Sequence, residues 1–179
     1  TLARKDLGEL IATAREYGLY CCLRTNALLL DSEQLVELRK LGLDEMVISI
    51  YGMNNEEYEA VTGRPNSWTR INQSVERAVA TDLNLRLRYV ALRQNYRSVG
   101  EYCRWAQGLG LDSEHRYVTW DIYPDNKGNM QTAEQSIPDE LMGEFLSLLQ
   151  QDDPELYAQM FPKDHSFSMC SVGRNLVHI

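Results

Sequence analysis

The sequence predicts an α/β fold built from parallel strands, and two patterns support this class. Four short apolar strands alternate with amphipathic helices at the spacing typical of βα units. Glycines such as Gly18, Gly42 and Gly110 follow the helices, where a residue that tolerates positive φ ends a helix well. We therefore expect right-handed crossovers between neighbouring parallel strands.

The first two βα units fill the first third of the chain. The apolar residues of the opening helix recur at helical spacing: Leu7, Leu10, Ile11 and Ala14. The strand 19–23 follows and leads into Thr25 and Asn26. Asp31, with a glutamine three residues later, resembles a capping box and predicts a second helix. Residues 47–52 then form the next buried strand.

The segment 54–66 is polar, and Gly63 and Pro65 interrupt it. We expect a loop here that includes one helical turn. Glu56 and Glu57 fit a solvated helix start better than a catalytic acid/base pair.

The third βα unit follows this loop. Its preceding helix buries one face, formed by Ile71, Val75, Ala78 and Val79. Apolar and polar residues alternate over 85–90, which predicts a strand that leads into Arg93 and Asn95. Ser98 and Glu101 have the spacing of a capping box for the next helix.

The last predicted strand, 117–123, carries Asp121 near its carboxyl end. Pro138 and Pro154 then open two helices, because proline suits the first helical turn. The tail that follows holds Cys170.

Composition narrows the class of protein. The chain has 179 residues, 44% of them hydrophobic, which suffices for a globular domain with a core. Its 18 basic and 26 acidic residues give a net charge of −8, and no basic cluster stands out, so we expect no nucleic-acid partner. No apolar run reaches membrane-spanning length. The four cysteines form no disulfide framework, which favours the reducing cytoplasm.

Polar side chains follow every predicted strand at its carboxyl end, where α/β proteins build their ligand sites. These residues are Thr25 and Asn26, Ser49 and Tyr51, Arg93 and Asn95, and Asp121 and Asp125. Strand ends also meet water and are polar for that reason alone, so both interpretations stay open. The phosphate-loop, dinucleotide-loop, nucleophile-elbow and zinc-protease motifs are all absent from the sequence.

Three stretches in register resemble the radical S-adenosylmethionine superfamily, in its branch with a C-terminal SPASM domain. They are LRTNALLL at 23–30, VISIYG with YEAVTG at 47–63, and CSVGR at 170–174. The peptide-modifying members, such as those of pyrroloquinoline quinone synthesis, look most similar. Two positions depart from the family pattern: Ala27 stands where many members have glycine, and Tyr51 where many have aspartate.

The resemblance implies a partial TIM-type barrel, with parallel strands three to six of a six-stranded barrel over residues 1–136. Residues 137–179 would form C-terminal helices that lead to the start of a SPASM region. The implied chemistry is cleavage of S-adenosylmethionine by a [4Fe–4S] cluster, followed by hydrogen abstraction from a peptide or small-molecule substrate. The implied cofactor-binding residues are Thr25, Asn26, Ser49, Tyr51, Arg93 and Asn95, with Asp121 near the substrate and Cys170 as a metal ligand.

The cluster motif C-x-x-x-C-x-x-C of the family does not occur in this sequence. We therefore expect an internal piece of an enzyme that binds no cofactor and is inert by itself. The unpaired edge of its first strand would need cover, either from a partner chain in a homodimer or from a rearranged terminus. An alternative is a non-catalytic barrel that binds peptides or acts as a scaffold. An aldolase-like barrel would call for a lysine at the strand ends, which carry none.

Overall fold

The computed structural model describes residues 2–120, 134–161 and 176–178, and it confirms the predicted alternation of strands and helices. The elements are α1 (Leu7–Glu16), β1 (Tyr20–Thr25), α2 (Ser32–Lys40), β2 (Glu45–Ile50), α3 (Asn55–Thr62), α4 (Ser67–Val79), β3 (Asn84–Val90), a 3₁₀ turn (Tyr96–Ser98), α5 (Val99–Gly108), β4 (Arg116–Thr119), α6 (Asp139–Asp152), α7 (Pro154–Met160) and β5 (Leu176–His178). No helix in these described ranges is both long and apolar enough to cross a bilayer.

The chain forms two compact units. Unit 1 comprises Thr1–Ser49, Thr69–Leu87 and Phe167–Ile179, and unit 2 comprises Ile50–Trp68 and Arg88–Ser166. Strand β3 is divided between them, with its first half in unit 1. The predicted boundary after residue 136 rests on the sequence resemblance and remains a prediction.

The sheet has the strand order β4-β3-β2-β1-β5. In unit 1, β1 runs parallel to β2, with Thr25 opposite Ile48. Strand β5 also runs parallel to β1 and places Val177 opposite Cys21. The chain's own C-terminal segment thus covers the edge of β1. The sequence predicts either this or a partner chain at that edge. Every residue of β2 is buried, as expected for a parallel strand enclosed on both faces.

Close packing at Gly42 joins helix α1 to the start of β2 in unit 1. Gly42 has a φ of 97°, and a Cβ on it would lie 2.6 Å from the Cγ of Arg15. The guanidinium of Arg15 reaches Asp44 at 3.1 Å, and the Asp44 carboxylate also accepts the main-chain N–H of Cys21 at 2.7 Å. A glycine at position 42 therefore leaves room for Arg15. Through Asp44, this side chain connects α1 to β1 and to the start of β2.

The prediction of a loop over residues 54–66 is wrong for the first half of this segment, which forms the two-turn helix α3. The carboxamide oxygen of Asn54 caps this helix by accepting the N–H of Glu57 at 2.9 Å. Gly63 ends it with a φ of 67°. The capping signal Asn54-x-x-Glu57 outweighs the polar composition, because a satisfied helix start stabilises even a short polar helix.

The capping box predicted at Ser98 and Glu101 is also wrong. Ser98 makes no side-chain capping bond to α5, which instead continues from the 3₁₀ turn before it. Its hydroxyl donates to the carboxylate of Glu57. Strand β4 is described as Arg116–Thr119, and the remainder of the predicted strand falls largely outside the described residues.

A buried ion pair attaches the last two helices to β4 within unit 2. The Nε of Arg116 lies 2.8 Å from Oδ2 of Asp153, and their side chains are only 3% and 1% exposed. Arg116 also donates to the carbonyl of Leu111 at 2.6 Å. The second oxygen of Asp153 accepts the N–H of Leu156 at 3.1 Å and so caps α7. Both charges are thus paired and hydrogen-bonded, which a buried charge requires.

We expect Arg116→Met to lower the free energy of unfolding by about 3–5 kcal/mol, because it leaves the Asp153 carboxylate buried and unpaired. Urea unfolding at pH 7 measures the change. Arg97→Met is the control in the same unit, since Arg97 pairs with Glu144 at the surface, where its side chain is 70% exposed. Equal losses in the two variants would contradict this account of the buried pair.

Candidate functional site

In unit 1, the predicted residues Thr25 and Asn26 shape the turn that follows β1. The hydroxyl of buried Thr25 accepts the N–H of Ala27 at 3.0 Å, and the side-chain oxygen of Asn26 accepts the N–H of Leu28 at 3.3 Å. The carbonyl of Ala27 accepts the N–H of Leu30 at 3.1 Å. Ala27 is fully buried and has a φ of 55°, in the left-handed region. This backbone conformation explains why a glycine would suit the position.

Ser49, the third predicted residue of unit 1, lies in β2 and is buried. The register places Thr25 opposite Ile48, so Ser49 lies one residue further toward the same carboxyl edge. The hydroxyl of Thr25, which accepts the N–H of Ala27, can also donate a hydrogen bond. The structure therefore brings Thr25, Asn26 and Ser49 to one edge of the sheet in unit 1.

In unit 2, the side chain of Asn95 joins the ends of two strands. Its amide nitrogen donates to the carbonyl of Tyr51 at 2.8 Å and to that of Val90 at 3.0 Å. Its amide oxygen accepts the N–H of Leu92 at 2.7 Å, and its main-chain carbonyl accepts the hydroxyl of Tyr89 at 2.6 Å. Asn95 is only 1% exposed. Both amide hydrogens and the amide oxygen are thus bound to main chain.

The loop after β2 is also held from α3. The carboxylate of Glu57 accepts the main-chain N–H of Met53 at 2.8 Å and the hydroxyl of Ser98. A Cβ on Gly52 would lie 2.5 Å from the Cβ of Glu57. Sequence reasoning missed this role of Glu57, although the spacing Asn54-x-x-Glu57 was a signal for it.

Tyr51 presents a half-buried phenol at the end of β2. Its ring meets that of Tyr58 edge-on, at 6.1 Å between centroids, and Tyr58 in turn lies 5.9 Å from Trp68. Burial raises the pKa of the Tyr58 phenol above its usual value, so the group is a neutral donor. Among the described residues, no acceptor meets this hydroxyl with normal hydrogen-bond geometry. Such a buried and unpartnered group is uncommon in native proteins.

The remaining predicted site residues are less informative. Arg93 is exposed, and its main-chain N–H donates to the carbonyl of Gln135 at 2.8 Å. Asp121, Asp125 and Cys170 lie outside the described residues, so their predicted roles are not placed by the structure.

The described thiols are buried and belong to no metal-binding group of the described residues. Cys21, Cys22 and Cys103 are buried, and burial raises the pKa of each, to about 11 for Cys22 and about 12 for Cys103. Iron–sulfur clusters are ligated by several thiolates at one place. Within 2–120 and 134–161, no group of three histidine, cysteine or acidic residues could hold a metal ion.

Comparison with known proteins identifies a family and several relatives. The sequence pattern of the Radical SAM superfamily matches residues 1–106. The PqqA peptide cyclase of Granulibacter bethesdensis is 31% identical over 125 residues, which cover 68% of this chain and 33% of that protein. The PqqA peptide cyclase of Bradyrhizobium diazoefficiens is 34% identical over 124 residues, with coverages of 67% and 33%. The chain thus spans about a third of the length of these curated relatives.

A solved structure supports the fold. It is a domain of the pyruvate-formate lyase-activating enzyme from Bacteroides vulgatus, with a TM-score of 0.60 and 14% identity. The similarity covers 81% of this chain and 84% of that domain. At this identity it shows the fold alone, and it confirms the predicted class, an α/β fold of the partial TIM-barrel type.

We expect Ala27→Gly to change the free energy of unfolding by less than about 1 kcal/mol, because relief of left-handed strain offsets the added chain entropy. Ala27→Val should lose about 2 kcal/mol or more, since a branched side chain adds strain and overpacks a buried site. Chemical unfolding measures both. Asn66 has the same φ of 55° but is exposed. Asn66→Val therefore measures the free-energy cost of a branched side chain at positive φ without the contribution of overpacking. Equal stability of the two Ala27 variants would refute the conformational argument.

Proposed function

The chain belongs to the Radical SAM superfamily, and from this premise we propose that it is part of an enzyme that modifies a peptide with S-adenosylmethionine and a [4Fe–4S] cluster. The observation that carries the proposal is the similarity to PqqA peptide cyclases over two thirds of the chain. Their name gives a peptide as the substrate. The Radical SAM match over residues 1–106 includes the strand-end segments that hold Thr25, Asn26, Ser49, Tyr51, Arg93 and Asn95.

With the cluster held outside the described residues, hydrogen abstraction from the substrate is the chemistry that bound S-adenosylmethionine would supply. The residues of unit 1 would bind its polar groups. The hydroxyls of Thr25 and Ser49 and the amide of Asn26 match the ribose, amino and carboxylate groups of this molecule in hydrogen-bonding capacity. Their common position at one edge of the sheet supports this assignment.

In unit 2, Tyr51 would contact the cofactor through its phenol, which can hydrogen-bond but lacks the charge of the aspartate found in many relatives. Asn95 would act mainly by positioning Tyr51, because its amide is already bound to main chain. The exposed guanidinium of Arg93 suits a carboxylate of cofactor or substrate. We keep Asp121 as a candidate for substrate contact.

The described residues do not fit the cluster, since they bring no three potential metal ligands together and their thiols are buried. The proposal therefore assigns the cluster ligands to other parts of the protein, with Cys170 as a ligand in a SPASM region. It follows that residues 1–179 alone would not turn over S-adenosylmethionine. The free thiols at Cys21, Cys22 and Cys103 fit the proposed cytoplasmic location.

The test is production of 5′-deoxyadenosine by the whole protein that contains this chain, reconstituted anaerobically with iron and sulfide and then reduced. We expect product from the whole protein and none from residues 1–179. Ser49→Ala should raise the KM for S-adenosylmethionine about fivefold, the effect of one lost hydrogen bond of about 1 kcal/mol. Ser32→Ala, at an exposed position on α2, is the matched control.

No product from whole protein that carries its cluster would contradict the proposal. That result would favour a barrel that binds a peptide or acts as a scaffold without catalysis.

A further inference from the structure

Residues 51–53, which we call the β2 loop, are fixed by hydrogen bonds on both sides. Asn95 holds the carbonyl of Tyr51 at 2.8 Å. Glu57 holds the N–H of Met53 at 2.8 Å through one carboxylate oxygen, and its other oxygen accepts the hydroxyl of Ser98. The two ends of the loop are therefore anchored by different elements of unit 2.

The middle of the loop is packed directly against the Glu57 anchor. A Cβ on Gly52 would lie 2.5 Å from the Cβ of Glu57 and 3.0 Å from one of its carboxylate oxygens. It would also lie 3.2 Å from the main-chain nitrogen of Tyr58. Real Cβ atoms essentially never come as close as 2.5 Å to another heavy atom, so any side chain at position 52 would displace Glu57.

The position of Glu57 on α3 suits it to this task. It is the third helical residue after the Asn54 cap, so its carboxylate lies at the positive end of the helix dipole. In a common capping box, a glutamate at this position accepts the N–H of the cap residue itself. Glu57 instead accepts the N–H of Met53, one residue earlier. It thereby extends the capping arrangement into the β2 loop.

We propose that Glu57 is a positioning residue that holds the β2 loop in the conformation in which Tyr51 and Gly52 receive S-adenosylmethionine. This inference rests on the proposed function. Both carboxylate oxygens of Glu57 are engaged by Met53 and Ser98, so the group anchors the loop and does not transfer protons.

The experiment compares Glu57→Ala, Glu57→Gln and Glu56→Ala in the whole protein with its cluster loaded. Glu56 is the exposed neighbour on α3 and serves as the matched control. Two quantities are measured: the Kd for S-adenosylmethionine by anaerobic calorimetry, and deuterium exchange at the Met53 amide. We expect Glu57→Ala to raise the Kd about tenfold or more and to speed the exchange, because two charge-assisted hydrogen bonds are lost.

Glu57→Gln should keep the Kd within about threefold of the wild type, since its carbonyl still accepts the Met53 N–H and its amide can donate to Ser98. Turnover adds a readout that mere destabilisation would not give: Glu57→Ala should raise the KM for S-adenosylmethionine and leave the kcat per folded, cluster-containing molecule unchanged. Ser98→Ala removes one anchor only, and it tests the same inference if Glu57→Ala does not fold.

The outcomes separate the two proposals. If the wild type itself does not bind S-adenosylmethionine, the proposed function fails, whereas Met53 exchange still reports on the anchor. If the wild type binds and Glu57→Ala binds equally well, Glu57 does not position the loop for this ligand and the inference is overturned. Unchanged Met53 exchange in Glu57→Ala would also overturn it.

Discussion

The side-chain amide of Asn95 is the interaction on which the arrangement of unit 2 depends. One planar group donates to the carbonyls after β2 and at the end of β3, and accepts an N–H from the segment that follows. Only a carboxamide offers two donors and an acceptor in this geometry. Because Asn95 is buried, these bonds are shielded from water, and one residue links the ends of the two strands.

The end of β1 in unit 1 is built by the same principle. Thr25 and Asn26 bond to the N–H groups of Ala27 and Leu28, so side chains again fix the main chain where a strand ends. Polar residues at strand ends therefore have two compatible uses. They satisfy main-chain groups that leave the sheet, and they preorganise the donors and acceptors that a ligand would meet.

The local features of this fold could be predicted from the sequence, whereas the partners of individual side chains could not. The apolar spacing gave α1, and Asp31 caps α2 as its sequence context suggests, with its carboxylate 2.8 Å from the Gln34 nitrogen. Ser98 shows the limit, because its hydroxyl binds Glu57, 41 residues away, instead of capping its own helix. Spacing along the chain encodes local periodicity, but the choice between a local and a distant partner depends on packing.

The same limit applies to the candidate site. The pattern of polar strand ends predicted that Thr25, Asn26 and Ser49 lie at one edge of the sheet, and the strand register in unit 1 places them there. It could not show that the Asn95 amide is already occupied, nor that Gly52 is required by the close approach of Glu57. The most direct measurement is therefore the unfolding free energy of Asn95→Asp at pH 7, with Gln94→Glu as the exposed amide-to-acid control. A carboxylate cannot donate to the carbonyls of Tyr51 and Val90, so we expect a loss of about 2 kcal/mol or more in Asn95→Asp alone. A loss no larger than that of the control would contradict the central place of Asn95 in this structure.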